Sequence, residues 1–171
     1  MRADWVPKGD FEHILAALTA ENRLACEVSL ATGLRIGDVL ALTPEKVRKQ
    51  RFTIREQKTG KTRTIRLPKE LVDRCLACSG QHYVFEHRLN GRQHRTRQAV
   101  FKDLKRVAKL FNAHKNITPH SARKVYAVEE YEHSGGNLQR VKRLLNHSDE
   151  AVTVIYALAN IVGKRKKFIK K

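Results

Sequence analysis

In a chain whose apolar residues otherwise recur every three or four positions, residues 51–67 switch to a period of two. RFTIREQ and TRTIRLP alternate apolar with polar residues, and KTGK lies between them, the pattern of two half-buried strands joined by a tight turn. The flanking segments keep the helical period. FEHILAAL and RLACEVSLA predict two helices within residues 10–31, with Gly33 stopping the second. LRIGDVLAL predicts a short helix with Arg35 at its start, and Thr43 and Pro44 supply an N-cap and a first-turn proline for the next. Pro68 opens a helix through LVDRCLAC, a short strand is expected at residues 83–86, and HRLNGRQHR reads as a polar, basic loop. Val100, Phe101, Leu104, Val107, Ala108 and Phe111 share one face of a helix over residues 96–111. Thr118 and Pro119 open another, ending at about His133 before Gly135 and Gly136, and further helices are expected at residues 138–145 and 149–161. The expected fold is therefore mainly α with a small antiparallel β-sheet.

At 171 residues and 41% hydrophobic content the chain can bury one real core but is short for two. The reading is a linker or remnant over residues 1–10, one domain over 11–163, and a basic tail over 164–171. Lys and Arg number 35 against 17 Asp and Glu, a formal charge of +18 that calls for a polyanionic partner. DNA, RNA and an anionic membrane surface all satisfy that charge. No apolar stretch approaches the roughly 20 residues of a spanning helix, and the N-terminus lacks the apolar segment of a secretory signal. Cys26, Cys75 and Cys78 form an odd set suited to a reducing compartment, so a cytoplasmic location is expected. Cys75 and Cys78 with His82 and His87 could supply four zinc ligands only by recruiting both histidines from an irregular segment. Ordinary helix-face cysteines are the simpler reading, and no metal is expected.

Two segments carry chemistry. In TPHSARKVYAV, His120 and Arg123 lie three apart at a helix start, where main-chain amides and the positive end of the dipole attract a phosphate. Arginine grips two phosphate oxygens at once, and histidine transfers a proton near neutral pH. Taken alone, a surface His and Arg on a basic protein would look the same. In LLNHSDEAVTVIYALA, His147 precedes a capping Ser148, and Tyr156 lies about two turns into the next helix. A tyrosine in an apolar helix is ordinarily core. With a hydroxyl pKa of about 10 it becomes a nucleophile only beside cations or a base.

Four segments, in order and in register, resemble the tyrosine recombinases of the phage integrase family. ATGLRIGDVLAL is similar to the stretch bearing their first catalytic arginine, KTGKTRTIRLP to their lysine-bearing hairpin, HSAR to their HxxR, and LLNHSDEAVTVIY to their path from histidine to nucleophilic tyrosine. The resemblance implies that fold, the DNA breaking and rejoining catalytic domain, and a site of Arg35, Lys58, His120, Arg123, His147 and Tyr156. Arg35 and Arg123 would hold the scissile phosphate, His120 would act as acid or base, and His147 would hydrogen-bond the phosphate. Lys58, with Lys61 as its rival, would protonate the departing 5′ oxygen. Tyr156 would attack phosphorus to give a 3′-phosphotyrosyl bond, with no metal, nucleotide or other cofactor required. Asp38 is similar to an acidic position that helps hold the site. Tyr126, Tyr131 and Tyr83 are the competing nucleophiles. Double-stranded DNA is the implied partner, with a homotetramer formed across two paired sites.

The sequence departs from the family pattern at Lys124, where histidine is frequent, at Ala122, where leucine is usual, and at Asn146, where glycine is common. Family members also carry a helical core-binding domain before this one, so complete recombination by this chain alone is not expected. Ten basic residues against one acid, Glu56, between Lys46 and Lys69, and eight against one, Asp103, between Arg88 and Lys109, predict a DNA-facing wall. The alternatives are a type IB topoisomerase-like DNA relaxation by the same residues, or a basic DNA-binding module without catalysis.

Overall fold

The computed structural model describes residues 3–111 and 114–145. Its elements run α1 (Lys8–Ala16), α2 (Ala20–Thr32), α3 (Ile36–Leu40), α4 (Pro44–Arg48), β1 (Arg51–Arg55), β2 (Thr62–Arg66), α5 (Lys69–Ala77), β3 (Glu86–His87), β4 (Asn90–His94), α6 (Arg97–Leu110), α7 (Pro119–His133) and α8 (Leu138–Leu144). The helix expected at 149–161 and the basic tail lie outside the described residues, as do His147 and Tyr156.

Helix α2 is the axis, packed by α1, α3, α5, α6 and α7. Leu24, Ala25, Cys26 and Val28 are buried along it and join one continuous core from Val6 to Val125. Phe11, Leu34, Leu40, Leu42, Leu67 and Leu104 are among its fully enclosed side chains, each contributing roughly 1.5–3 kcal/mol of burial. Tyr126, Ala127, Val141 and Leu145 form a second cluster that seats α8 on α7. The end of α2 requires glycine on two counts. Gly33 adopts φ +66°, and a Cβ there would overlap the Tyr126 ring.

β1 and β2 pair antiparallel with Phe52 opposite Ile65, so those residues and Ile54 face the core while Thr53 and Thr64 face outward. Thr43 caps α4 through the Lys46 amide, and Thr118 and Ser121 form a capping box on α7. The box takes up some of the amides that the sequence offered to a phosphate: the Thr118 hydroxyl accepts from the His120 N–H at 3.3 Å.

Three expectations need correcting. HRLNGRQHR is not a loop, and the strand expected at 83–86 is displaced: β3 and β4 make a second antiparallel hairpin turning at Arg88 and Leu89. Neither strand buries a face, so the sequence carries no alternation to announce them. Residues 3–10 also do not stand apart as a linker. Ala3 and Val6 are buried, the Asp4 amide donates to the Asn116 carbonyl at 2.9 Å, and α1 already begins at Lys8. The Ser121 hydroxyl, donating to the Asp4 carbonyl at 2.8 Å, pins this segment to the start of α7.

Candidate active site

The αL turn at Gly33 throws the chain from α2 into α3 and leaves Arg35 as the N-cap residue of α3, 8% exposed. The hairpin brings Lys58 to the same place on its turn, and the first turn of α7 brings His120. Arg35, Lys58 and His120 line one open cleft of about 450 Å³ together with Ile36, Gly37, Asp38, Gln57 and Arg97. Lys61, the rival of Lys58, is not among its lining residues. Arg123, one turn beyond His120, is buried against the base of this region, donating to the Gly33 carbonyl at 2.6 Å and the Leu145 carbonyl at 2.8 Å. Four of the six expected residues thus converge from three elements far apart in sequence, and the other two lie outside the described residues.

Two members were not singled out from sequence. Glu56 is fully buried, and its Oε2 accepts from Arg35 Nη1 at 2.6 Å and from the Thr59 hydroxyl at 2.9 Å. Arg63 reaches in from β2 to the carbonyls of Thr32 and Gly33. Strand parity was the available signal: Glu56 follows Phe52 and Ile54 on the inward face of β1, and Arg63 precedes Ile65 on that of β2. Asp38 lines the same cleft. Its Oδ1 accepts the Gln57 amide at 2.9 Å and so ties α3 to the lysine-bearing turn.

Three guanidinium groups and two carboxylates, largely withdrawn from solvent, leave one net positive charge among these five side chains. Burial, then the neighbouring Arg35, pushes the Arg123 guanidinium down to about 10, still charged at neutral pH. Burial also lowers Arg63 and raises Asp38, the latter against the Gln57 N–H that favours its anion. Among the described residues, Arg35 Nη2, Asp38 Oδ2 and Glu56 Oε1 are buried without a hydrogen-bond partner. Of these three only Arg35 Nη2 is a donor, the kind of group that suits an incoming oxyanion; the two carboxylate oxygens are acceptors and could not serve one.

Tyr126 fits the nucleophile's role poorly: its ring packs on Gly33, it is 9% exposed, and burial raises its hydroxyl pKa. Burial pushes the Cys75 thiol up to about 12, and no grouping of three or more His, Cys, Asp or Glu side chains suited to a metal occurs among the described residues. No helix among those residues is long and apolar enough to cross a membrane.

A mainly helical domain with two small antiparallel hairpins, and with arginines, a lysine and a histidine gathered at a single cleft, is the architecture of a tyrosine recombinase catalytic domain. The chain matches the phage integrase family over residues 5–161 and belongs to it. It is 31% identical over 148 residues to the tyrosine recombinase XerD of Halalkalibacterium halodurans, covering 79% of this chain and 48% of that protein. Its fold is that of the lambda integrase catalytic core, at TM-score 0.72 and 20% identity over 86% of this chain and 93% of that one. It also superposes on a lambda integrase tetramer bound to a Holliday junction, at TM-score 0.71 and 21% identity, covering 88% of this chain and 48% of that one. The chain therefore spans about half the length of the curated XerD relative it matches.

Proposed function

We propose that this chain performs the strand cleavage and rejoining of a site-specific DNA recombinase through a 3′-phosphotyrosyl intermediate at Tyr156. The observation that carries the reading is the convergence of Arg35, Lys58 and His120 on one cleft with Arg123 beneath it. Arg35 and Arg123 neutralise the non-bridging oxygens of the scissile phosphate, whose charge builds in the transition state, so the clamp favours that state over the ground state. The Tyr156 oxygen attacks phosphorus as the bond to the 5′ oxygen breaks. His120 handles the proton of the attacking side, and Lys58 delivers a proton to the departing 5′ oxygen. His147 hydrogen-bonds the phosphate. A 5′ hydroxyl from a partner strand then displaces tyrosine by the same path in reverse. The energy of the original phosphodiester is kept in the phosphotyrosyl bond, which is why the exchange runs with no nucleotide hydrolysed.

Double-stranded DNA is the substrate, engaged through phosphates along the two basic stretches. Its affinity should fall with salt at a log–log slope of roughly 0.9 per phosphate neutralised. Four copies on two paired sites form the working assembly, by analogy with the tetrameric structure. The test is incubation with nicked suicide duplexes drawn from a random-site library. A covalent protein–DNA adduct in wild type that disappears in Tyr156→Phe supports the reading. An adduct of equal yield in both moves the nucleophile elsewhere, and none in either favours a DNA-binding module.

A further inference from the structure

We propose that Glu56 is a positioning residue that acts through Arg35, fixing the guanidinium beneath the cleft and tying its placement to the turn that carries Lys58. The proposal rests on the strand-transfer reading above and adds a residue to it. One residue serves two ends. Its main chain closes the hairpin turn, with its N–H donating to the Lys61 carbonyl at 2.9 Å and its carbonyl accepting from the Gly60 N–H at 2.8 Å. Its side chain turns inward, where Oε2 is shared between Arg35 Nη1 at 2.6 Å and the Thr59 hydroxyl at 2.9 Å. Any displacement of the turn is therefore felt at Arg35, and the reverse.

Packing does not account for an acid here. Position 56 continues the inward row of Phe52 and Ile54, and an apolar side chain there would fill the core without the cost of burying a carboxylate. What the carboxylate adds is orientation and charge. An arginine side chain has many rotamers, and a bond at Nη1 selects one of them, with Nη2 buried and without a hydrogen-bond partner among the described residues. The negative charge also offsets repulsion among Arg35, Arg63 and Arg123, which Coulomb's law strengthens where the groups are withdrawn from solvent.

The experiment compares wild type, Glu56→Gln and Thr59→Val as full chains, with circular dichroism to confirm folding. Cleavage rate at saturating suicide duplex is measured separately from duplex affinity, and side-chain ¹⁵N NMR follows the Arg35 guanidinium without DNA. Glu56→Gln keeps the shape and loses the charge. It should slow cleavage by about 10- to 100-fold with affinity within about threefold, since most affinity comes from other phosphates. Thr59→Val leaves the Arg35 pair and the main-chain bonds of the turn and cuts only the side-chain tie between them, so a loss of about three- to tenfold is expected. Arg35 Nη protons should be held in slow rotation in wild type and averaged in Glu56→Gln. A Glu56→Gln rate at or above wild type, or freely rotating Arg35 protons in wild type, overturns the proposal. If wild type forms no adduct at all, the strand-transfer reading fails instead, and the NMR arm still decides whether Glu56 holds Arg35.

Discussion

The two ends of α2 each bury charge, and they do so in opposite ways. At the N-terminal end a single carboxylate, Asp103 of α6, is fully engaged. Its Oδ2 accepts from the Thr19 amide at 3.0 Å, the Thr19 hydroxyl at 2.9 Å and the Asn22 side-chain amide at 2.8 Å, and its Oδ1 pairs with Arg106 at 2.7 Å. Burial alone would raise its pKa, but the bonds from Asn22, Thr19 and Arg106 together win and hold it at about 2. At the C-terminal end three arginines crowd round Gly33 with two acids, and buried polar atoms there lack partners. A satisfied network stabilises the fold that contains it; one that leaves buried polar atoms unpaired is costly to that fold. On the proposed function, one end of the helix serves stability and the other phosphate chemistry.

The largest expected effect is at the C-terminal end. Arg35→Ala should slow adduct formation by about 100- to 1,000-fold, the range for losing one preorganised donor to a developing oxyanion, read as single-turnover cleavage of the suicide duplex. Second is Asp103→Ala, which strands the donors at Thr19 and Asn22 and should cost about 3 kcal/mol in urea unfolding, with cleavage by the folded fraction within about threefold of wild type. If cleavage collapsed and stability held, the assignment of the two ends would be reversed. Third, Gly33→Ala should cost about 2 kcal/mol from the left-handed backbone, with an added cleavage defect because displacing the Tyr126 ring disturbs the carbonyl that Arg123 grips. The smallest effect is one of pH. Because Asp103 is lower in the folded than in the unfolded chain, its stabilisation is fully present above about 3.8 and is lost as pH falls toward about 2. Wild type should therefore lose stability more steeply than Asp103→Asn across that window in acid titrations followed by circular dichroism.

Much of this arrangement is written locally. The alternation of Phe52, Ile54 and Ile65 announces the first hairpin, Thr43 and Thr118 announce helix starts, and Gly33 marks the end of α2, because each depends on backbone geometry within a few residues. The convergence of Arg35, Lys58, His120 and Arg123 was legible only through ordered family motifs; their individual spacings specify no shared cleft. What was missed depends on partners distant in sequence. Glu56 and Asp103 each look like the one acid in a basic stretch, and nothing local says that Arg35 or Thr19 will meet them. The second hairpin escaped notice because both its faces meet solvent, so burial left no period in the sequence. The segment at Ala3 to Val6 looks detachable for a similar reason: its fixing bonds go to Asn116 and Ser121, over a hundred residues away.

The contrast between the two ends is tested most directly by Arg123→Ala, with suicide-substrate cleavage and urea stability measured on the same preparation. Arg123 is buried and hydrogen-bonded, as a structural residue would be, yet burial and the like charges of Arg35 and Arg63 oppose its charged form, with Glu56 and Asp38 only partly offsetting them. The account predicts cleavage reduced by about 100-fold or more while unfolding free energy falls by less than about 2 kcal/mol, because the lost carbonyl bonds are offset by relief of repulsion from Arg35 and Arg63. A stability loss of about 4 kcal/mol or more, with cleavage falling only in proportion to the folded fraction, would contradict it and make Arg123 a scaffold residue.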